Sequence, residues 1–164
     1  HLLVRKSCRL EWPSFSLKSV KTPDQLTAAF REAGLKVTPQ RQLLFRLLHG
    51  NAMHPTAETL YEAASAEMPG ISLRTVYQTL TDLAAMGELQ QISLGGAARF
   101  DPNVDDHHHI VCDRCGEVRD VYVPDSGAIA VAGLGGFSVH SARIVFSGEC
   151  PTCSAASVGR SVQQ

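Results

Sequence analysis

Two Cys-x-x-Cys pairs constrain this chain more than any other feature of its sequence. The first pair is Cys112 and Cys115, and the second, after 34 intervening residues, is Cys150 and Cys153. Four thiolates form the ligand set of a closed, tetrahedral zinc site. Because no apolar secretory segment is apparent near the first residue, zinc is favoured over disulfides. We therefore predict a structural zinc that ties the first strand of a domain to the end of its last strand.

A second group of candidate metal ligands precedes the first cysteine pair. Residues 107–109 are three consecutive histidines. Since alternate residues of a strand share a face, His107 and His109 can point together while His108 points away. Four carboxylates are available nearby: Asp101, Asp105, Asp106 and Asp120. Mixed imidazole and carboxylate ligation suits Fe(II), Mn(II) or Zn(II), and the alternative interpretation is a solvated polar turn.

Capping residues and apolar stripes predict helices in the N-terminal part of the chain. Four N-caps are predicted: Asp24, Thr38, Thr56 and Ser72. The first helix is short and is expected to end near Gly34. Residues 89–94 and 97–100 then predict a β-hairpin around two glycines. Three helices followed by a hairpin are typical of a winged helix-turn-helix, and an ordinary helical domain with a polar face is the alternative.

The last of these helices is the candidate recognition helix. Val76, Leu80 and Leu83 form its inward stripe. The opposite stripe carries residues able to reach phosphates and base edges: Arg74, Thr75, Tyr77, Gln78 and Thr81. The charge distribution supports DNA contact by the N-terminal part of the chain only weakly. Residues 1–100 carry a net charge of +3 and residues 101–164 a net charge of -4, within the total of -1.

Beyond Pro102 the pattern predicts a compact α+β domain. Strands are expected at 109–112, 117–123 and 137–146, with a small helix at 126–134. The longest apolar run, 129–134, is far shorter than the roughly 20 residues of a membrane span. We expect no membrane segment and a cytoplasmic location.

Six motifs together resemble the ferric uptake regulator family. They are LKVTPQR at 35–41, HPTA at 54–57, SLRTVY at 72–77, RFD at 99–101, HHHIVCDRCG at 107–116 and CPTC at 150–153. The resemblance covers residues 24–154, and the combination of motifs is highly specific. Asp120, where iron-uptake members usually carry Glu, and the Thr-Pro-Gln-Arg run at 38–41 are similar to the peroxide-responsive branch.

The resemblance implies an α+β homodimer that binds double-stranded operator DNA. The expected domains are a winged helix-turn-helix domain at 23–101, a hinge at 102–105 and a metal-binding dimerisation domain at 106–154. An arm at 1–22 and a disordered tail at 155–164, which the resemblance does not cover, are predicted from their composition. The regulatory ligands it implies, for Fe(2+) or Mn(2+), are His54, Asp101, His107, His109 and Asp120. By spacing alone His54 is more typical of a loop residue, so the resemblance carries this assignment.

The resemblance also implies roles at the DNA and in sensing. Tyr77 matches a base-contacting position, Lys36 a minor-groove position, and Arg41 a phosphate contact. The expected function is a metal-dependent repressor, not an enzyme and without an organic cofactor, in which peroxide oxidises His54 or His107. An iron-uptake repressor with reversible Fe(II) binding is the near alternative. A non-haem iron oxygenase, suggested by two histidines and a carboxylate, is disfavoured by the helix-turn-helix pattern.

Overall fold

The computed structural model describes residues 21–94, 96–124, 130–140 and 142–158. The N-terminal half contains four helices: α1 Pro23–Glu32, α2 Pro39–Leu48, α3 Ala57–Glu67 and α4 Leu73–Ala85. Within the described ranges, no helix combines the length and apolar character needed to cross a membrane. The predicted arm lies outside the described residues except for residues 21 and 22.

Each of these four helices starts at a hydroxyl side chain that accepts a hydrogen bond from a backbone amide of the first turn, as the cap rules require. The caps of α2, α3 and α4 are the predicted Thr38, Thr56 and Ser72. The prediction of Asp24 as the cap of α1 is wrong, because Thr22 holds that position in a capping box with Gln25. Pro23 occupies the first turn, where its missing N–H sacrifices no hydrogen bond.

The apolar stripes of the four helices meet in one core. Phe30 of α1 and Phe45 of α2 contact edge to face, with ring centroids 4.9 Å apart. The predicted inward stripe of α4 is confirmed, since Val76, Leu80 and Leu83 are almost completely buried. This packing leaves the opposite side of α4 towards solvent.

A two-stranded wing follows the helices and contacts the loop between α2 and α3. Strand β1, Gln90–Ile92, pairs antiparallel with β2, Arg99–Asp101. The amide of Phe100 donates to the carbonyl of Pro55 at 2.9 Å. The wing therefore holds the loop that carries His54.

The C-terminal half is built on a three-stranded sheet of order β4-β3-β5. Its strands are β3 His108–Cys112, β4 Val118–Val121 and β5 Val145–Gly148, and the helix α5 Pro151–Val158 follows them. Strand β3 pairs antiparallel with β4 and parallel with β5. The predicted fold class, α+β with a winged helical part followed by a sheet, is confirmed.

Three expectations in the C-terminal half fail. Residues 130–134 of the helix predicted at 126–134 are not helical, and 126–129 lie outside the described residues. Gly133 has a positive φ, which a helix does not accommodate. The strand predicted at 137–146 is found at Val145–Gly148 among the described residues, because pairing with β3 begins only at Val145. The tail predicted to be disordered from residue 155 is helical up to residue 158, because α5 starts at Pro151 and continues through Ala155 and Ala156, which favour helix.

Candidate metal centres

Five predicted regulatory ligands come from four places in the chain and meet in one buried group. His54 lies in the loop between α2 and α3, and Asp101 ends β2. His107 precedes β3, His109 lies within β3, and Asp120 lies in β4. His109 and Asp120 are directly paired across the two strands. One potential ligand atom from each of the five residues lies within 4.8 Å of all the others.

Distances within the group are short. His54 Nε2 lies 2.6 Å from Asp120 Oδ1, and His107 Nε2 lies 2.8 Å from Asp101 Oδ2. His107 Nε2 and His109 Nε2 are 3.0 Å apart, and His109 Nε2 is 3.5 Å from Asp101 Oδ2. The ligand atoms thus converge on a common point instead of forming separate pairs.

Several of these atoms are buried without an aligned hydrogen-bond partner in the described part of the chain. They are both ring nitrogens of His54, Asp101 Oδ2 and Asp120 Oδ1. Unsatisfied polar atoms in a folded interior are costly and signal an absent ion or water. A divalent cation would satisfy the atoms that face the centre, so the residues present fit a metal.

The tautomer of His107 supports the same interpretation. Its Nδ1 lies 2.7 Å from the backbone carbonyl of Asp105, which can only accept a hydrogen bond. Nδ1 therefore carries a proton, and Nε2 is the nitrogen left to bind a metal. A histidine ligand whose second nitrogen donates to a carbonyl is the usual arrangement at protein metal sites.

In the metal-free protein, protons on the histidines balance the negative charge of the two carboxylates in the group. Burial opposes a positive charge on His54, yet contacts with Asp101 and Asp120 outweigh it and raise the pKa of His54 to about 9. Burial likewise opposes ionisation of Asp101 and Asp120, but the neighbouring histidines hold the pKa of each carboxyl below its usual value. The pKa of His107 is raised against the effect of burial, mainly by Asp101. Positive charge is therefore favoured at the centre, and a metal would supply it in place of protons.

Asn103 is a site residue that the sequence reasoning missed. Its backbone amide donates to Asp101 Oδ1 at 2.7 Å, and its side-chain amide donates to Asp120 Oδ2 at 2.9 Å. The same side chain donates to the hydroxyl of Tyr122 at 3.1 Å. One buried residue thus orients both carboxylates of the group. The Asp-Pro-Asn run is typical of a turn in which an Asp side chain accepts a hydrogen bond from the backbone amide two residues later. This pattern is the feature of the sequence from which the role of Asn103 could have been predicted.

Neighbouring residues that resembled ligands take other roles. The side chains of Asp105 and Asp106 are not part of the five-residue group. His108 points away from it, as predicted from strand alternation, and its Nδ1 accepts from the amide of Ile144 at 3.3 Å. Its burial is therefore structural.

The four cysteines form a second group at the far end of the same sheet. Cys112 ends β3, and Cys150 precedes α5, so β3 and the end of β5 are brought together as predicted. Cys115 Sγ and Cys150 Sγ are 3.7 Å apart, and all four sulfurs lie within 4.8 Å of one another. The four thiols are free rather than paired in disulfides.

Electrostatics at the cysteine group favour a cation. The amide of Cys150 donates to Cys112 Sγ at 3.3 Å and contributes most to lowering the pKa of Cys112, to about 6. Crowding by the other sulfurs, Cys150 first, raises the pKa of Cys153 to about 12. Without a metal the four thiols cannot all ionise, whereas a bound zinc would stabilise four thiolates.

The residues predicted to contact DNA lie mostly on the outer side of the helices. Arg74, Tyr77, Gln78 and Lys36 are exposed. The hydroxyl of Tyr77 donates to Glu58 of α3 at 2.5 Å. Thr75 is half-buried and contacts the Ser72 hydroxyl at 2.9 Å, so it belongs to the cap of α4.

Arg41 is engaged within the fold. Its guanidinium donates to Asp82 of α4 at 2.6 Å and to the carbonyl of Lys36 at 3.0 Å. It also lies over the ring of Phe30, 5.1 Å from the centroid. The predicted phosphate contact of Arg41 therefore requires that these bonds be broken or shared, and its observed contacts attach α2 to the candidate recognition helix.

A winged helical half joined to a sheet, with two groups of metal ligands, defines a metal-dependent transcription regulator. Residues 32–147 match the ferric uptake regulator family, and the chain belongs to this family. Its members are transcription regulators and not enzymes.

The chain is similar to the peroxide-responsive repressor PerR of Staphylococcus aureus, with 34% identity over 133 residues that cover 79% of this chain and 90% of that protein. The predicted family and the likeness to its peroxide-responsive branch are confirmed. The ferric uptake regulator Fur of Helicobacter pylori shares the fold, with a TM-score of 0.70 at 19% identity over 84% of this chain and 97% of that chain. The regulator of Pseudomonas aeruginosa, solved with manganese, has a TM-score of 0.55 at 28% identity and covers 76% and 97% of the two chains.

Proposed function

We propose that this protein is a transcriptional repressor that binds palindromic operator DNA as a homodimer when a regulatory metal is bound, and that peroxide inactivates it. One observation carries the proposal: five ligand atoms from both halves of the chain lie within 4.8 Å of one another in a buried group. His54 and Asp101 come from the half with the candidate recognition helix, and the other three ligands come from the sheet. A metal at this place would join the two halves.

Zn(2+) at the four cysteines and Fe(2+) or Mn(2+) at the histidines and carboxylates fit the two donor sets. The cysteine group offers soft thiolates with no position for another ligand type, which is typical of a structural zinc. The second group combines imidazole with carboxylate oxygen and contains no sulfur, which suits Fe(II) and Mn(II). The related regulator of Pseudomonas aeruginosa was solved with manganese.

The regulatory effect follows from the position of His54. Its loop is held by the wing, through the Phe100 amide and the carbonyl of Pro55. Ligation would therefore fix the orientation of the whole helical half relative to the sheet. A metal can shift the protein towards this arrangement only by its higher affinity for it, and ligands from both halves supply that difference.

The exposed side of α4 is the proposed DNA-reading surface. Tyr77 is 44% exposed in the N-terminal half of the helix, where an aromatic ring can contact a thymine methyl group. Arg74 and Gln78 are exposed on the same side, and Lys36 offers a cation for the backbone or minor groove. Arg41 contributes by holding α4 through Asp82.

A homodimer would cover the outer face of the C-terminal sheet. Ile110 of β3 and Phe146 of β5 are paired neighbours, 37% and 42% exposed. Five other apolar side chains of the described part of this half are also exposed: Val131, Leu134, Phe137, Val139 and Val145. An apolar surface of this kind on a small domain marks an interaction site. A second copy would bury it and place two recognition helices for two half-sites of a palindrome.

Oxidation of a ligand would provide the response to peroxide. Bound Fe(II) would supply the redox chemistry that splits hydrogen peroxide beside the imidazoles. One oxygen atom of the peroxide is added to the ring of His54 or His107, and the other leaves as water. Both rings are buried and face the centre, as the ring of His109 does, so they would lie directly beside an oxidant produced there. An oxidised ring is a poorer donor, so the two halves separate and DNA is released.

The test is DNA binding by the protein loaded with Fe(II) or with Mn(II), with and without peroxide. We expect binding with either metal, release by peroxide with Fe(II) alone, and a mass increase of one oxygen atom that fragmentation of the peptides assigns to His54 or His107. His108 is the internal control, because it is equally buried but faces away. Unchanged masses with DNA binding retained would favour the iron-uptake repressor instead. Equal oxidation of His108 would refute oxidation directed by the site.

A further inference from the structure

Arg99, the first residue of β2, makes side-chain contacts with both halves of the protein. Its Nη1 donates to the backbone carbonyl of His54 at 3.1 Å. Its Nη2 donates to the backbone carbonyl of Gly116 at 2.9 Å. His54 is a ligand of the five-residue group, and Gly116 directly follows Cys115. A single guanidinium therefore bridges the two candidate metal centres.

The two carbonyls belong to residues with unusual backbone conformation. His54 has a φ of 47° and is the only non-glycine residue with positive φ in the described part of the chain. Gly116 has a φ of 71°. A non-glycine residue in this region persists only where its surroundings hold it. The bond from Arg99 is one of the contacts that hold His54, and it acts on the peptide group next to the ligand side chain.

Packing around Arg99 leaves space. A cavity of about 160 Å³ lies beside its side chain, between Leu94 and Ala97 on the wing side and Val111 and Val118 on the sheet side. The apolar surfaces of the two halves thus do not close tightly here. Beside this cavity, the hydrogen bonds of the Arg99 guanidinium connect the two halves of the protein.

Another polar contact between the two halves is weaker. Arg143 Nη2 lies 3.3 Å from Gln90 Oε1, and this pair is exposed to solvent. The two bonds of Arg99 are shorter and partly buried, and hydrogen bonds to a guanidinium are stronger where water is excluded.

We propose that Arg99 is a positioning residue that ties His54 to the turn of the cysteine group, so that the metal-free protein already favours the arrangement in which His54 faces the other ligands. The inference rests on the proposed regulatory metal site and adds a residue that sets its affinity. When the metal-competent arrangement is less populated, the apparent dissociation constant rises in proportion. The planar fork reaches two carbonyls at once, which the single ammonium of lysine does not reproduce.

The test compares Mn(II) binding by the full chain and by Arg99→Gln, Arg99→Lys and Arg46→Gln, with zinc content measured in each. Arg46 is the matched control, because it pairs with Glu67 on the surface of the helical half and contacts neither ligand group. We expect both Arg99 variants to bind Mn(II) roughly tenfold more weakly, as is typical when an outer partner of a ligand is lost. Zinc content should not change. Wild-type affinity in Arg99→Gln, an equal loss in Arg46→Gln, or loss of zinc together with Mn(II) would each overturn the inference.

Amide hydrogen exchange without Mn(II) supplies a readout that does not depend on the regulatory metal. In Arg99→Gln, segments 51–57 and 113–118 should exchange faster than in the wild type, while α1 and α2 keep their protection. Unchanged exchange in both segments would refute the role of Arg99. If the wild type itself bound no Mn(II), the proposed regulatory site would fail, and the exchange data would still decide whether Arg99 links the two halves.

Discussion

Replacing Asn103 by alanine should weaken metal binding without removing any ligand. The substitution deletes the bond from the Asn103 side chain to Asp120 Oδ2 and the bond to Tyr122. It also deletes the acceptor of the Asp105 amide, which lies 3.2 Å from Asn103 Oδ1. The backbone bond to Asp101 remains possible. Asp120 would then be free to turn away from the position that faces His54.

The expected magnitude follows from the type of bond. A hydrogen bond to a charged group contributes about 1.5–3 kcal/mol, and a buried donor or acceptor left unpaired costs about 1–3 kcal/mol. Because the bonds of Asn103 already exist without metal, part of this loss lowers the stability of the metal-free fold. We expect about 1–2 kcal/mol there, a decrease in melting temperature of about 2–8 °C. The remainder affects the ligand geometry and should weaken Mn(II) binding roughly tenfold.

Mn(II) titration and thermal unfolding of the metal-free protein measure the two parts separately. Tyr122→Phe is the control, because it removes the hydroxyl partner of Asn103 but keeps the bond to Asp120. It should change the Mn(II) affinity much less than Asn103→Ala does. If Asn103→Ala bound Mn(II) as tightly as the wild type, or if Tyr122→Phe had the same effect, then orientation of Asp120 by Asn103 would be refuted.

Three further predictions concern pH, the cysteine group and the recognition helix. The pKa of His54 is about 9 in the metal-free fold, so below that pH a metal must displace the proton of His54. The apparent Mn(II) affinity should therefore rise about tenfold per pH unit from neutrality towards pH 9 and then level off. Mn(II) titrations at several pH values measure this, and an affinity that does not change with pH would contradict it. Cys153→Ser should lower the zinc content and destabilise the C-terminal sheet by several kcal/mol, on the order of the loss of a structural metal. Metal analysis and thermal unfolding measure these two effects. Full retention of zinc would contradict the four-cysteine site. Arg41→Ala should destabilise the helical half by about 1–3 kcal/mol, because the largely buried carboxylate of Asp82 loses its cationic partner and keeps the bond from Gln78. Denaturant unfolding measures this, and an unchanged midpoint would refute a stabilising role of the pair of Arg41 and Asp82.

Much of the fold was predictable because its signals are local. Hydroxyl caps and Pro-initiated turns mark where three of the four N-terminal helices start, since the first turn of a helix needs acceptors for its free amides. The prediction of Asp24 as an N-cap was wrong because Thr22 and Asp24 are both residue types that cap helices. Only the reciprocal hydrogen bonds between Thr22 and Gln25 decide between the two positions. The C-terminal half was less predictable. Whether residues 137–144 extend a strand depends on a partner strand, and β5 pairs parallel with a strand more than thirty residues earlier.

The candidate metal sites also have some features that local sequence predicts and others that it does not. The amino-acid sequence by itself determined the ligand types, their strand alternation and the two cysteine pairs, because spacing on a strand and the donor set of a metal are local properties. The resemblance implied that His54 and Asp120 share a site, but no local pattern did. Only the tertiary structure shows the contact between them, the bond by which Asn103 orients Asp120, and the bond that directs Arg41 to Asp82 instead of solvent. These contacts join residues from 17 to 66 positions apart. They depend on how helices, wing and sheet pack together, which local pattern does not specify.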